Sequence, residues 1–96
     1  MSSGQPASRP DLYVIARIIK TLMDNGGMKK TALATSTGLA YDRLSKYVDW
    51  MAEKQLVTLD GEGEVHLTKL GAETYQELVG WIMKYVGKLK FPKFER

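Results

Sequence analysis

No cysteine occurs among the 96 residues, so the chain has no disulfide framework, no thiolate metal site and no thiol nucleophile. Histidine occurs once, at position 66, and a lone histidine holds a metal only with close partners from elsewhere in the fold. The sequence reads His66 as a half-buried structural residue on a strand. A Ser/His/Asp constellation and a G-x-x-x-x-G-K phosphate loop are both lacking. Glu73 and Glu77 stand four apart, which a solvated helix face explains better than paired acid–base work. An enzyme is therefore not expected, and neither is a cofactor, a bound metal or a small-molecule substrate. Apolar runs stay well short of the roughly 18 residues that cross a bilayer. The opening MSSGQPASRP lacks the apolar stretch of a signal peptide. The expectation is a cytoplasmic protein without a membrane partner.

What the chain does contain suits one globular domain with a modest core: 44% hydrophobic and 26% charged residues. Its net charge of +3 is unevenly spread. Residues 1–59 carry eight Lys/Arg against five Asp/Glu, residues 60–83 one against five, and residues 84–96 five against one. A polyanion would be met away from the acidic middle segment.

Residues 1–8 read as a disordered polar tail. Ser8-Arg9-Pro10-Asp11 reads as a helix start, with Ser8 as the cap and Asp11 completing a capping box. Leu12, Ile15, Ile18, Ile19 and Leu22 give this first helix its apolar stripe, and Asn25-Gly26-Gly27 stops it. Thr31 to Leu56 then reads as two helices joined by a tight turn. Leu33 and Ala34 face inward on the first, Gly38 supplies the turn, and Leu44, Tyr47, Val48 and Met51 share one face of the second. This is the helix-turn-helix arrangement, whose second helix can lie in the DNA major groove. Leu56-Val57-Thr58-Leu59 and Glu64-Val65-His66-Leu67 flank the turn signal Asp60-Gly61-Glu62-Gly63, giving a β-hairpin where a winged helix carries its wing.

Thr68 can cap a last helix that runs from Lys69 to about Lys90 and ends before Pro92. Leu70, Tyr75, Leu78, Val79, Ile82, Val86 and Leu89 form its stripe over about five turns, more than a small body can cover. Leu78, Val79, Trp81, Ile82, Tyr85, Val86 and Leu89 are the expected interface of a homodimer built on a two-helix coiled coil. Gly80 and Gly87 lie on nearly one face and would admit a partner helix closely. The alternative is a monomer whose last helix folds back over the first. The expected fold class is thus mostly α with a small β-hairpin. It comprises a winged helix-turn-helix domain over 9–68, a long C-terminal dimerisation helix over 69–91 and a basic tail over 92–96.

This order of elements, with the phrases TGLAYDRLSKYVDWM and EVHLTKLG, resembles the small archaeal winged helix-turn-helix DNA-binding proteins. The long last helix looks most like the 10a-type chromatin proteins and related transcription regulators. The resemblance covers roughly residues 10–90 and implies duplex DNA bound by a two-fold dimer. Three positions depart from it. Ala40 stands at a cap position where serine is common, Gln55 stands where glycine is common, and the wing tip carries Asp60, Glu62 and Glu64 but no base.

In that context the outward or flanking residues of the second helix of the pair are Tyr41, Asp42, Arg43, Ser45, Lys46 and Asp49. Arg43 can give a bidentate pair to a guanine edge, Lys46 can reach phosphate or guanine, and Tyr41 and Ser45 can donate to phosphate oxygens. Against this stands a merely solvated face with an Asp42–Lys46 pair at i, i+4. Lys29 and Lys30 open the first helix of the pair, where phosphate contact and plain exposure fit equally. Lys84, Lys88, Lys90, Lys93 and Arg96 suit either flanking DNA or the dipole of the helix end. The functional expectation is a dimeric double-stranded DNA-binding transcription regulator that inserts Tyr41–Asp49 into the major groove. The alternatives are a winged-helix protein-interaction module without DNA binding and a weakly specific nucleoid-type architectural protein.

Overall fold

The computed structural model describes residues 10–85. The expected cap at Ser8, and everything assigned to Val86, Gly87, Leu89 and the basic tail, lie outside the described residues. Helix α1 (Leu12–Asn25) is capped by Asp11, whose carboxylate accepts the Tyr13 amide N–H at 2.9 Å. The helix thus begins later than a Ser8 cap would set it. A proline at position 10 disfavours helical backbone at the residue before it, and the start moves beyond it. Ile15, Ile18, Ile19 and Leu22 are buried as their spacing requires, whereas Leu12 is 48% exposed in the first turn. Gly26, with φ 79°, ends the helix and donates its N–H to the Leu22 carbonyl at 2.8 Å.

Strand β1 (Met28–Lys29) follows and runs directly into helix α2 (Lys30–Thr37). Gly38, at φ 76°, turns the chain, while the Leu39 N–H reaches back to the Ala34 carbonyl at 3.0 Å. Helix α3 (Tyr41–Glu53) buries Leu44, Tyr47, Val48 and Met51, the four residues expected to face inward. Strands β2 (Val57–Leu59) and β3 (Glu64–Leu67) form the wing, and helix α4 (Lys69–Tyr85) closes the described chain. The wing turn is fixed by Gly63, at φ 82°, whose N–H donates to the Asp60 carbonyl at 3.1 Å.

The sheet has three strands rather than the two of a simple hairpin, in the order β1-β3-β2, all antiparallel. Met28 lies opposite Val65 and Lys29 opposite Glu64, while Val57 lies opposite Leu67 and Thr58 opposite His66. One sheet face joins the core through Val57 and Val65; α1 packs on α2, on α4 and on β3, and α3 packs on β2. Two polar ties hold the helices in register. The Tyr47 hydroxyl accepts the Asp11 N–H at 3.0 Å, and Arg17, largely buried, donates to the Thr37 carbonyl at 3.1 Å, satisfying one of the acceptors left over where α2 ends.

Thr68 caps α4 as expected, accepting the Gly71 N–H at 2.9 Å while its hydroxyl donates to the Gln55 and Leu56 carbonyls. A side chain at Gly71 would collide with the Leu56 carbonyl oxygen, so glycine lets α4 start hard against the end of α3. Leu70, expected in the stripe, is instead exposed. Ile82, expected to wait for a partner, is already buried within the chain at 2% exposure. Trp81 and Tyr85, at 54% and 62%, remain outside, their ring centroids 5.0 Å apart. Gly80 faces open space.

Candidate nucleic-acid interface

Burying Leu44, Tyr47, Val48 and Met51 forces the rest of α3 outward. At 100° per residue, Asp42 and Asp49 fall near the middle of the exposed face. Lys46 and Arg43 flank them on one side, with Ser45 and Tyr41 on the other. Tyr41, Arg43 and Lys46 are exposed, and Ser45 is half-buried. The Arg43 guanidinium rests 5.7 Å from the centroid of the Tyr47 ring, which steadies it without consuming its donors. The Asp42–Lys46 pair is not formed among the described residues.

Lys30 is the residue whose setting the sequence least discloses. Its ammonium donates to Ser45 Oγ at 3.1 Å and lies 3.8 Å from Asp49 Oδ1. Its side chain is only 22% exposed. The first residue of α2 thus clamps the middle of α3, and Lys30 and Ser45, chosen separately from the sequence, meet. Lys29 is exposed and sits in β1. Lys29, Lys30, Thr31, Tyr41 and Gly63 together line a shallow cleft of about 300 Å³ between the helix pair and the wing. Neither Lys29 nor Ala40, the residues preceding α2 and α3, offers a side-chain cap, so the first N–H groups of both helices are left for other acceptors.

The wing is acidic and ordered. Asp60 Oδ1 accepts the amide N–H groups of Glu62 and Glu64 at 2.8 and 2.9 Å, and Oδ2 lies 2.8 Å from His66 Nε2. The His66 hydrogen bond, then these two N–H groups, hold the Asp60 carboxyl down at a pKa of about 2. Glu64 Oε1 lies 3.8 Å from the same imidazole nitrogen. Glu64 shares the face of His66 through the strand pleat, but Asp60 becomes its neighbour only when the hairpin closes, which the sequence did not disclose. The α4 residues expected at a dimer interface do not join this region. Leu78 and Val79 are half-buried, and Trp81 and Tyr85 face away into solvent.

Among the described residues, no helix is long and apolar enough to cross a membrane. Comparison with curated proteins finds no match. Solved structures do match. A MarR family transcriptional regulator from Silicibacter pomeroyi is 28% identical, with a TM-score of 0.64 over 78% of this chain and 56% of that one. A MarR family protein from Bacillus stearothermophilus is 19% identical, with a TM-score of 0.64 over 84% of this chain and 58% of its own. The second likeness is one of fold alone, and the chain spans little more than half the length of either protein. The family model described as winged helix-turn-helix matches residues 8–85, every element from α1 to α4. With that match added to the three-stranded sheet, its β2–β3 wing and the α2–α3 turn, the chain belongs to the winged helix-turn-helix family.

Proposed function

We propose that the protein is a dimeric double-stranded DNA-binding transcription regulator that lays α3 in the major groove. The observation that carries this is the clustering of donors around α3. Arg43 and Lys46 project from it, free of ion pairs among the described residues, and Lys29, Lys30 and Tyr41 line the adjacent cleft. Arg43 reads a guanine edge, Lys46 and Lys29 meet phosphates, and the uncapped starts of α2 and α3 add N–H donors to phosphate oxygens. Lys30 acts through Ser45 and Asp49, neutralising one of the two carboxylates on the face. The likeness to a MarR family transcriptional regulator supports the reading. A second copy joins through Leu78, Val79, Trp81 and Tyr85, with Val86 and Leu89 continuing the stripe. It places two α3 helices in grooves about 34 Å apart. The weakly specific chromatin-type role suggested by the archaeal 10a resemblance is a variant of the same mechanism.

The acidic wing favours a second reading, a protein-interaction module. Asp60, Glu62 and Glu64 would repel phosphate, and Asp42 stays on the exposed face without an ion-pair partner among the described residues. Fluorescence anisotropy on a pool of labelled duplexes of mixed sequence, at about 50 and 200 mM salt, separates the two. With three to five phosphate contacts per protomer, a dimer should lose roughly 10³-fold in affinity or more across that range. No binding at either salt would move the assignment to the interaction module.

A further inference from the structure

We propose that the wing carries a site for a divalent transition-metal ion, held by Asp60, Glu64 and His66. Glu64 and His66 are two apart on β3, so the pleat sends both side chains to the same face of the sheet. Asp60 follows the end of β2 and folds over them from the turn. The three donor atoms lie within 4.8 Å of one another, with His66 Nε2 at 2.8 Å from Asp60 Oδ2 and 3.8 Å from Glu64 Oε1. Nitrogen and oxygen donors that share a metal at bonds of about 2.0–2.2 Å stand roughly 3.0–3.5 Å apart. The two His66 contacts bracket the required separation, so the shorter must open and the longer close by a few tenths of an ångström. The Asp60 and Glu64 oxygens, within 4.8 Å of each other, must draw together over the ion.

The placement of each donor is fixed from outside the cluster. Asp60 Oδ1 is committed to two backbone N–H groups, which leaves Oδ2 as its coordinating oxygen. The His66 ring occupies the space where Gly27 has no side chain; a Cβ at that position would run into the imidazole. Gly27 lies in the link between α1 and β1, so a residue distant in sequence makes room for the ring. Lys29 stands opposite Glu64 in the β1–β3 ladder but forms no ion pair with it, leaving that carboxylate open to a cation. Thr58, opposite His66, brings no charge.

One imidazole with two carboxylates suits zinc, cobalt, nickel or manganese. An all-oxygen set would be the choice of calcium, and sulfur ligands that of copper(I). Three protein ligands leave at least one position for water. Binding replaces the Asp60–His66 contact. The Nε2 lone pair goes to the metal, and any proton carried on that nitrogen leaves to solvent. The ion's two positive charges offset those of Asp60 and Glu64, so the wing tip keeps only the charge of Glu62.

Zinc titrated into the full chain is the probe, followed through the long-range proton–nitrogen correlation of the imidazole ring. His66 is the sole histidine, so one ring reports without ambiguity. The Nε2 resonance is expected to shift and to saturate at one zinc per chain, with calorimetry giving the same stoichiometry. Glu64→Gln, at the longer contact, should weaken zinc by about tenfold or more. Glu62→Gln, at the same tip but outside the cluster, should leave affinity unchanged. Asp60→Asn tests the second carboxylate in the same way. An Nε2 resonance that stays put at millimolar zinc would overturn the site. So would a shift of equal affinity in both carboxylate variants, since a lone histidine would then be the only ligand.

Discussion

Gln55 adopts φ 66°, a backbone conformation that glycine takes freely and glutamine does not. It ends α3 as Gly38 ends α2. The Gln55 N–H donates to the Ala52 carbonyl at 2.9 Å, and the Leu56 N–H to that of Met51 at 2.8 Å. The two helices thus stop by one hydrogen-bond pattern, once with glycine and once without. The left-handed conformation costs a non-glycine residue about 1–2 kcal/mol, part of which glycine's larger unfolded-state entropy cancels. Gln55→Gly is therefore expected to stabilise the fold by roughly 0.5–1 kcal/mol. Urea unfolding would show this as a raised midpoint with an unchanged slope. A lowered midpoint would mean that the junction depends on the glutamine side chain. The resemblance to the archaeal winged-helix proteins implies glycine at this position. The φ value supplies the reason.

At the scale of the element, α3 was legible because its four buried residues repeat at helical spacing and Gly38 announces the turn before it. Its partners were not. Lys30 meets Ser45 and Asp49 across 15 and 19 positions of sequence, and no local pattern encodes that approach. Strand β1 escaped for a simpler reason: two residues are too few to display an alternation. Arg17 was passed over because a charged residue on the side of α1 away from its apolar stripe reads as pointing outward, yet here it spans from α1 to the end of α2. Leu12 and Leu70 fit their helical stripes but lie in first turns that the core does not reach. The division of labour proposed for α3 can be measured. Arg43→Ala should cost about 1–3 kcal/mol and relax discrimination at one base pair. Lys46→Ala should weaken binding evenly across sequences and reduce the salt slope by about 1. Lys20→Ala, which breaks an exposed pair with Asp24 on α1, is the control and should change neither.

At the scale of the whole molecule, the question is what α4 is for. Its inner face is spent within the chain: Gly71 packs at the α3–β2 junction, and Ile82 is buried. Its outer face shows Trp81 and Tyr85 side by side. The two faces should separate by mutation. Trp81→Ala with Tyr85→Ala should shift sedimentation from dimer to monomer while leaving the unfolding midpoint of the monomer in place. Ile82→Ala should destabilise each protomer by about 2–5 kcal/mol. If the double variant sediments as the parent protein does, the proposed pairing through these two rings is overturned.

Strand β1 bears on how the wing can move. It passes into α2 with no residue between them and is bonded along its length to β3. The hairpin therefore cannot flap alone. To leave the body, the wing must also strip β1 and loosen the first turn of α2. Amide exchange at Met28, Lys29 and Val65 should then rise and fall as one cooperative unit rather than as separate local openings. A force or charge applied at the wing tip arrives at Lys29 and Lys30 as load on a lever reaches its fulcrum.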